Sequence, residues 1–124
     1  AALGHQINKD NADEVKAKVI LEMANHPIKP EADPVLEKKG VVVIPDILAN
    51  AGGVVVSYFE WVQNSTNYYW SKEEVTKKLE EVLVPATKEI SKTSKELKTT
   101  MREAAYILAI NKILEAERLR GVLN

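Results

Sequence analysis

The chain contains no cysteine, so disulfides and thiolate metal sites are excluded, a pattern that fits a cytosolic protein. It also lacks any apolar run near the ~20 residues of a membrane span and any basic-then-apolar signal peptide. Neither charge sign dominates: 17 basic residues stand against 18 acidic ones, for a net charge of −1. That balance implies no nucleic-acid or anionic-membrane partner. Glycine is sparse, at five residues, and G-x-G-x-x-G occurs nowhere. The glycine-rich strand–turn–helix that holds a dinucleotide pyrophosphate is therefore absent.

What remains is ordinary soluble material. The 124 residues suffice for one domain with a modest core, and the 45% hydrophobic and 28% charged shares are those of a globular protein. The opening AALGHQI has no initiator Met and no helix cap, and reads as a cut from something longer, although processing could also remove a Met.

The first half alternates short apolar runs with helical material. Asp10 and Asn11 are placed to cap a short helix over 10–17, and 17–23 (AKVILEM) suits a buried strand. Residues 24–34 carry three prolines and read as loop. A short helix over 32–39 ends at Gly40, and VVVI at 41–44 is a second strand, stopped by Pro45. Strand, helical connection and strand make half of a parallel α/β layout.

The second half is helical. Ser71 with Glu74, and Thr100 with Glu103, form capping boxes that open two helices. The first carries Val75, Leu79, Val82, Leu83, Ala86 and Ile90 at helical spacing, and Pro85 predicts a kink or break within it. The second runs to about Arg120, where Gly121 closes it. The Lys/Ser/Thr-rich stretch 91–100 reads as an exposed helix end and turn. Lys72, Lys77 and Lys78 alternate with glutamates, as helical ion pairs on a solvated face would. His5 and His26 have no partner at ligand or triad spacing and read as structural or surface residues.

Residues 50–64, NAGGVVVSYFEWVQN, read two ways. Three valines followed by Ser57, Tyr58 and Phe59 have strand composition. As a strand, however, neither face is cleanly apolar. As a helix, Val55, Val56, Phe59 and Val62 form an apolar stripe, with Asn50, Val54, Ser57 and Trp61 on the face beside it. Period therefore favours the helix, with Asn50 as N-cap and Gly52-Gly53 leaving first-turn N–H groups uncovered. Such an end attracts an anion or carbonyl oxygen, and Ser57 can offer a hydroxyl to a carboxylate. The same glycines equally permit close helix packing, with Ser57 as a satisfied polar spot.

These residues resemble the hexameric glutamate dehydrogenases. The resemblance is carried by AKVILEMANHPIKPEAD, where the family usually has A-N-G-P and T-P-E-A-D, and by VVVIPDILANAGGVVVSYFEWVQN at the expected distance. YYWSKEEV and MREAAYILAINKILEAERLRG resemble the two closing helices, and AALGHQI the usual A-A-L-E-N-Q-I, so essentially the whole chain is covered. Three departures stand out. His26 replaces a glycine, and its ring either crowds the loop or points to solvent. Gly4-His5 replaces Glu-Asn, which would loosen the opening segment. Pro85 interrupts a helix that normally runs on.

The resemblance implies an α/β fold: the second half of a doubly wound, Rossmann-like parallel sheet followed by a helical C-terminal segment. Residues 1–49 would be the partial dinucleotide-binding domain, and 50–124 the cleft or hinge helix with its closing helices. NAD or NADP is the implied cofactor, with Ala1, Ala2, Asn25 and Asn50 along its nicotinamide–ribose side. Val54 and Ser57 would contact L-glutamate or 2-oxoglutarate, the serine hydroxyl on the side-chain carboxylate. The family's catalytic lysine and aspartate lie in a domain outside this chain, which itself offers no catalytic residue and no metal site. The complete enzyme would be a homo-hexamer in the cytoplasm, or in the mitochondrial matrix of a eukaryote. Alone, the chain would be a catalytically silent folded fragment or partner-binding module, prone to self-association through an uncovered sheet edge. An amino-acid dehydrogenase of other preference fits less well, because a site for apolar amino acids needs no hydroxyl at Ser57.

Overall fold

Two short apolar runs organise the first half of the chain. In the computed structural model, which describes residues 3–121, β1 (Val19–Leu21) pairs in parallel with β2 (Val42–Ile44), Val19 opposite Val42. Ile20 points inward while Val19, Leu21 and Val42 stay exposed, so one face of the sheet is packed and the other largely open, with Ile44 packing there against a cluster around Leu48 and Ile90. The packed face meets Ala12, Ile28, Ala32 and Leu36, with Val41 and Val43 at its margin. The strands are shorter than the apolar runs that encode them, and the last rung between them is the Glu22 N–H on the Ile44 carbonyl.

The connection between the strands contains a 3-10 turn, Pro30–Ala32, and helix α1, Asp33–Lys38. Gly40, at φ +70°, closes that helix by donating its N–H to the Glu37 carbonyl at 2.8 Å. The helix expected over 10–17 is only a 3-10 turn, Ala12–Glu14. Asn11 does not cap it. Its Oδ1 accepts from the Asn8 N–H at 2.9 Å and its Nδ2 donates to the Gln6 carbonyl at 2.8 Å, so the side chain serves an earlier turn.

After β2 come α2 (Asp46–Ala49) and α3 (Ala51–Thr66), which settles 50–64 as helix. Packing supplies what valine propensity withholds. Phe59 is buried edge-on against Trp70, at 5.7 Å between centroids, while Val55 and Val62 are half-buried. Val56, expected in the same stripe, is exposed, so the buried face is narrower than the sequence suggested.

Both capping boxes form as expected, opening α4 (Lys72–Leu97) and α5 (Met101–Leu119). Of the kink or break expected at Pro85, the break does not occur: the 26-residue α4 continues through it to Leu97. Pro85 lies on the exposed side, where water can satisfy the carbonyl that loses its partner. On the opposite side Ala86 and Ile90 pack with Ala104, Ala105 and Leu48 into a second core. The lysines expected in helical ion pairs form none among the described residues; Lys78 Nζ instead sits 4.6 Å from the centre of the Trp70 ring.

Candidate functional site

Polar groups gather where the two strands end. Glu22, the residue after β1, has a fully buried side chain and donates its N–H to the Ile44 carbonyl at 3.1 Å. Asp46, two residues after β2, has a side chain only 9% exposed. Between the two carboxylates lies Arg102, from the first turn of α5. Its Nη2 is 2.7 Å from Glu22 Oε1 and its Nη1 is 3.3 Å from Asp46 Oδ1, while Nε is 3.9 Å from Asp33 Oδ2.

Nearly every acceptor in this cluster has a donor. Glu22 Oε2 takes the Asp46 N–H at 2.8 Å, and the two Asp46 oxygens take the N–H groups of Ile47 and His26, each at 2.8 Å. Burial works to raise the Asp46 pKa, but the two backbone donors and the Arg102 charge outweigh it and hold that carboxyl below its ordinary value. Burial prevails at Asp33, whose pKa is raised against the weaker pull of the distant guanidinium. For Arg102, burial would lower the pKa, yet the bond to Glu22 and the surrounding carboxylates raise it. Among the described residues, no group of His, Asp or Glu side chains is placed to hold a metal ion.

The Asp46–His26 bond fixes the loop that carries Asn25. Asn25 Oδ1 accepts from Asn50 Nδ2 at 2.7 Å, so two of the expected site residues meet at the sheet edge. Neither the Asn25 amide nitrogen nor the Asn50 amide oxygen has another hydrogen bond among the described residues, leaving a donor and an acceptor at one spot. Asn50 stands at the N-cap position of α3, as expected, but its side chain caps no first-turn N–H. At φ −97° and ψ 0° it closes α2, donating its N–H to the Asp46 carbonyl, and α2 runs straight into α3. The expected open helix end is therefore occupied by the preceding turn.

Val54 and Ser57 lie on the exposed side of α3 beyond Asn50, Val54 at 69% exposure, about 6 and 10 Å further along the axis. The Ser57 hydroxyl donates to the Gly53 carbonyl at 3.0 Å. Of the two glycines, Gly52 faces α4, where a Cβ would stand 3.4 Å from Leu83 Cδ1. Gly53 faces open space. The close-packing reading thus holds for Gly52, while Gly53 leaves the surface beside it uncovered. Ala1 and Ala2 lie outside the described residues.

His26 adopts φ +48°, a left-handed backbone that explains why glycine is usual there. Its ring is 72% exposed and points to solvent. His5 adopts φ +59° and donates its N–H to the His26 carbonyl at 2.8 Å. The opening segment is not loosened by Gly4-His5. A Cβ at Gly4 would meet the Asn25 carbonyl at 3.2 Å, so glycine lets this segment lie close against the Asn25 loop.

Sequence reasoning missed the Glu22–Asp46–Arg102 cluster. The available signal was slight: an acid at the end of an apolar run, and another directly after a proline that stops a strand.

An α/β chain with side-chain amides and a helix face collected at the carboxyl ends of parallel strands has the layout of a ligand-binding crevice wall. The family model for Glutamate/Leucine/Phenylalanine/Valine dehydrogenase matches residues 1–121, and the chain belongs to that family. It is 54% identical over 121 residues to the NAD-specific glutamate dehydrogenase of Clostridioides difficile, covering 98% of this chain and 29% of that protein. Among solved structures, the glutamate dehydrogenase of Peptoniphilus asaccharolyticus aligns with a TM-score of 0.92 at 45% identity, over 99% of this chain and 31% of that one. The hetero-hexameric glutamate dehydrogenase of Thermus thermophilus, in its leucine-bound form, aligns at 0.91 and 35% identity, over 100% and 30%. The chain thus spans about three tenths of the relatives it matches.

Proposed function

We propose that this chain is part of an NAD-dependent glutamate dehydrogenase, which oxidatively deaminates L-glutamate to 2-oxoglutarate and ammonia. Residues 1–49 are the second half of a doubly wound cofactor domain, and 50–124 the hinge helix with its closing helices. The observation that carries this reading is the Asn25–Asn50 pair, 2.7 Å apart at the carboxyl ends of parallel strands, in a chain of this family.

The residues suit the cofactor. A nicotinamide ring ends in a carboxamide, which needs one acceptor and one donor, and the unused Asn25 nitrogen and Asn50 oxygen offer a donor and an acceptor. A nicotinamide held by Asn25 and Asn50 would supply the hydride acceptor for the α-carbon of the substrate. This chain's residues bind and orient. Ala1, Ala2, Asn25 and Asn50 line the nicotinamide–ribose side, Val54 packs against the substrate, and Ser57 turns its hydroxyl from Gly53 to the side-chain carboxylate. The proton-transfer groups and the pyrophosphate turn belong to other parts of the enzyme, so these 124 residues alone are inactive.

The assembly is a homo-hexamer in the cytoplasm. No described helix is long and apolar enough to cross a membrane. Val19, Leu21 and Val42 on the open sheet face are covered in the complete subunit, and the isolated chain self-associates through that face. The test is NAD reduction by the complete polypeptide with L-glutamate, L-leucine and L-valine in parallel. Glutamate is the expected substrate. A preference for the apolar amino acids, or no reduction with any of them, sinks the assignment.

A further inference from the structure

We infer that Arg102 is a positioning residue for the nicotinamide end of the site, acting through Glu22 and Asp46 on the Asn25–Asn50 pair. The role assigned to the pair rests on the dehydrogenase reading, but the geometric coupling does not.

Three chain segments converge on this guanidinium. Glu22 lies three residues before Asn25, Asp46 lies four before Asn50, and Arg102 opens the closing helix. Each carboxylate is fastened to the backbone of another segment. Glu22 Oε2 holds the Asp46 N–H, and Asp46 Oδ2 holds the His26 N–H, the amide directly after Asn25. The Asp46 carbonyl in turn receives the Asn50 N–H at 3.1 Å. Asp46 therefore grips both asparagine segments, one through its side chain and one through its main chain. Pro27 and Pro45, both fully buried, flank the gripped positions and leave them little freedom to drift.

Arg102 makes this grip tenable. Without it, two carboxylates with 0% and 9% exposed side chains would face each other with no cation between them. One would take up a proton or the two would separate, and either event moves Asp46 relative to His26. A lysine keeps the charge but cannot reach both carboxylates in the fork geometry of a guanidinium. Docking of α5 onto the rest of the fold is a different matter. That helix also makes the Lys112–Glu89 pair at 3.1 Å with α4, far from the strand ends, and packs Ala104 and Ala105 into the second core. A residue serving only to dock α5 would be equivalent to Lys112; Arg102 is set apart by the hydrogen-bond path from its guanidinium to Asn25 and Asn50.

The test uses Arg102→Lys and, as a docking control, Lys112→Ala, each in the complete polypeptide. The first readout is the crystal structure of the Lys variant. The inference expects Asn25 Oδ1 and Asn50 Nδ2 to part beyond hydrogen-bond distance; the pair unchanged at 2.7 Å overturns it. The second readout is NADH affinity by nicotinamide fluorescence, beside the thermal midpoint. Arg102→Lys should weaken NADH by about tenfold, a loss that one displaced hydrogen-bonding pair can account for, while Lys112→Ala lowers the midpoint with affinity unchanged. Affinity that falls equally with the midpoint in both variants overturns the inference. If Arg102→Lys does not fold, Glu22→Gln with Arg102→Met removes the fully buried charge of the pair, leaves Asp46 on its His26 and Ile47 N–H donors, and is read in the same two ways. Should the wild-type protein bind no NADH, the cofactor assignment fails, while the Asn25–Asn50 distance still decides the coupling.

Discussion

The Asn50 side chain donates to the Asn25 side chain across 2.7 Å, although the two residues are 25 positions apart. One turn follows a strand and the other opens a helix, and this single bond ties the two together. Replacing Asn50 with Ala removes both the bond and the carboxamide beside it. NADH affinity of the complete enzyme should fall by about tenfold, near 1.4 kcal/mol, by fluorescence titration. Unchanged affinity would remove Asn50 from the cofactor site.

The two adjacent glycines should respond differently to alanine. Both gain helix propensity, about 1 kcal/mol each. At Gly52 the new methyl meets Leu83 at ordinary contact distance, whereas at Gly53 it enters open space. Both variants should therefore melt higher, but only Gly53→Ala should weaken cofactor or substrate binding, because its methyl projects into the crevice. Equal effects of the two variants on KM would place the crevice elsewhere.

Ser57→Ala separates stability from binding. The hydroxyl is exposed and returns to its own helix at Gly53, so the unfolding free energy should change by less than about 0.5 kcal/mol. If the hydroxyl turns to the glutamate carboxylate on binding, KM for glutamate should rise about 10- to 100-fold, the worth of a hydrogen bond to a charged group. A normal KM in that variant would return Ser57 to a helix-surface role.

At His26 the left-handed backbone costs an L-residue about 1–2 kcal/mol, partly offset by the rigidity that glycine lacks in the unfolded chain. His26→Gly should stabilise by up to about 1 kcal/mol and His26→Val should destabilise, as read from chemical denaturation. The reverse order would mean that the exposed ring makes a contact worth more than the strain.

The acid limb of the stability profile should depend on Asp46. Folding lowers its pKa, so the folded state binds this proton less tightly than the unfolded state. The resulting stability is present above about pH 4 and is lost as pH falls through the lower folded value. Asp33 has the opposite sign: its raised pKa opposes folding at neutral pH, and that opposition fades in acid. Asp46→Asn should thus be less stable than wild type at pH 7, with the gap narrowing below about pH 4. A gap independent of pH would assign the loss to hydrogen bonding alone.

Helix period and caps were legible in the sequence. The Ser71 and Thr100 boxes, the Gly40 and Gly121 stops and the helical spacing from Val54 to Trp61 depend on neighbours within a few residues, and each produces its element. Residues whose environment is set from far away were not legible. Glu22 meets Arg102 across 80 positions, and nothing local marks either as partly or wholly buried. Asn50 does stand at the N-cap of α3, but the end it was expected to leave open is filled by α2, which was not anticipated ahead of it. Whether Pro85 would break its helix could not be read locally, because the cost of proline depends on whether the abandoned carbonyl faces water. Of the candidate site, the Asn25–Asn50 meeting came from resemblance rather than from pattern.

The Arg102 fork ties the first turn of α5 to the strand ends, while the Lys112–Glu89 pair and the second core tie its length to α4, so α5 acts as a lever only together with α4. The 19 residues of α5 extend about 28 Å, so a tilt of about 5° at the fork displaces the far tip by about 2.5 Å. Ångström-scale adjustments at the strand ends are thereby enlarged along a stiff rod whose outer side carries Ile110, Ile113 and Leu119. Whatever apolar surface seats those residues would feel an amplified version of a change that begins between two carboxylates.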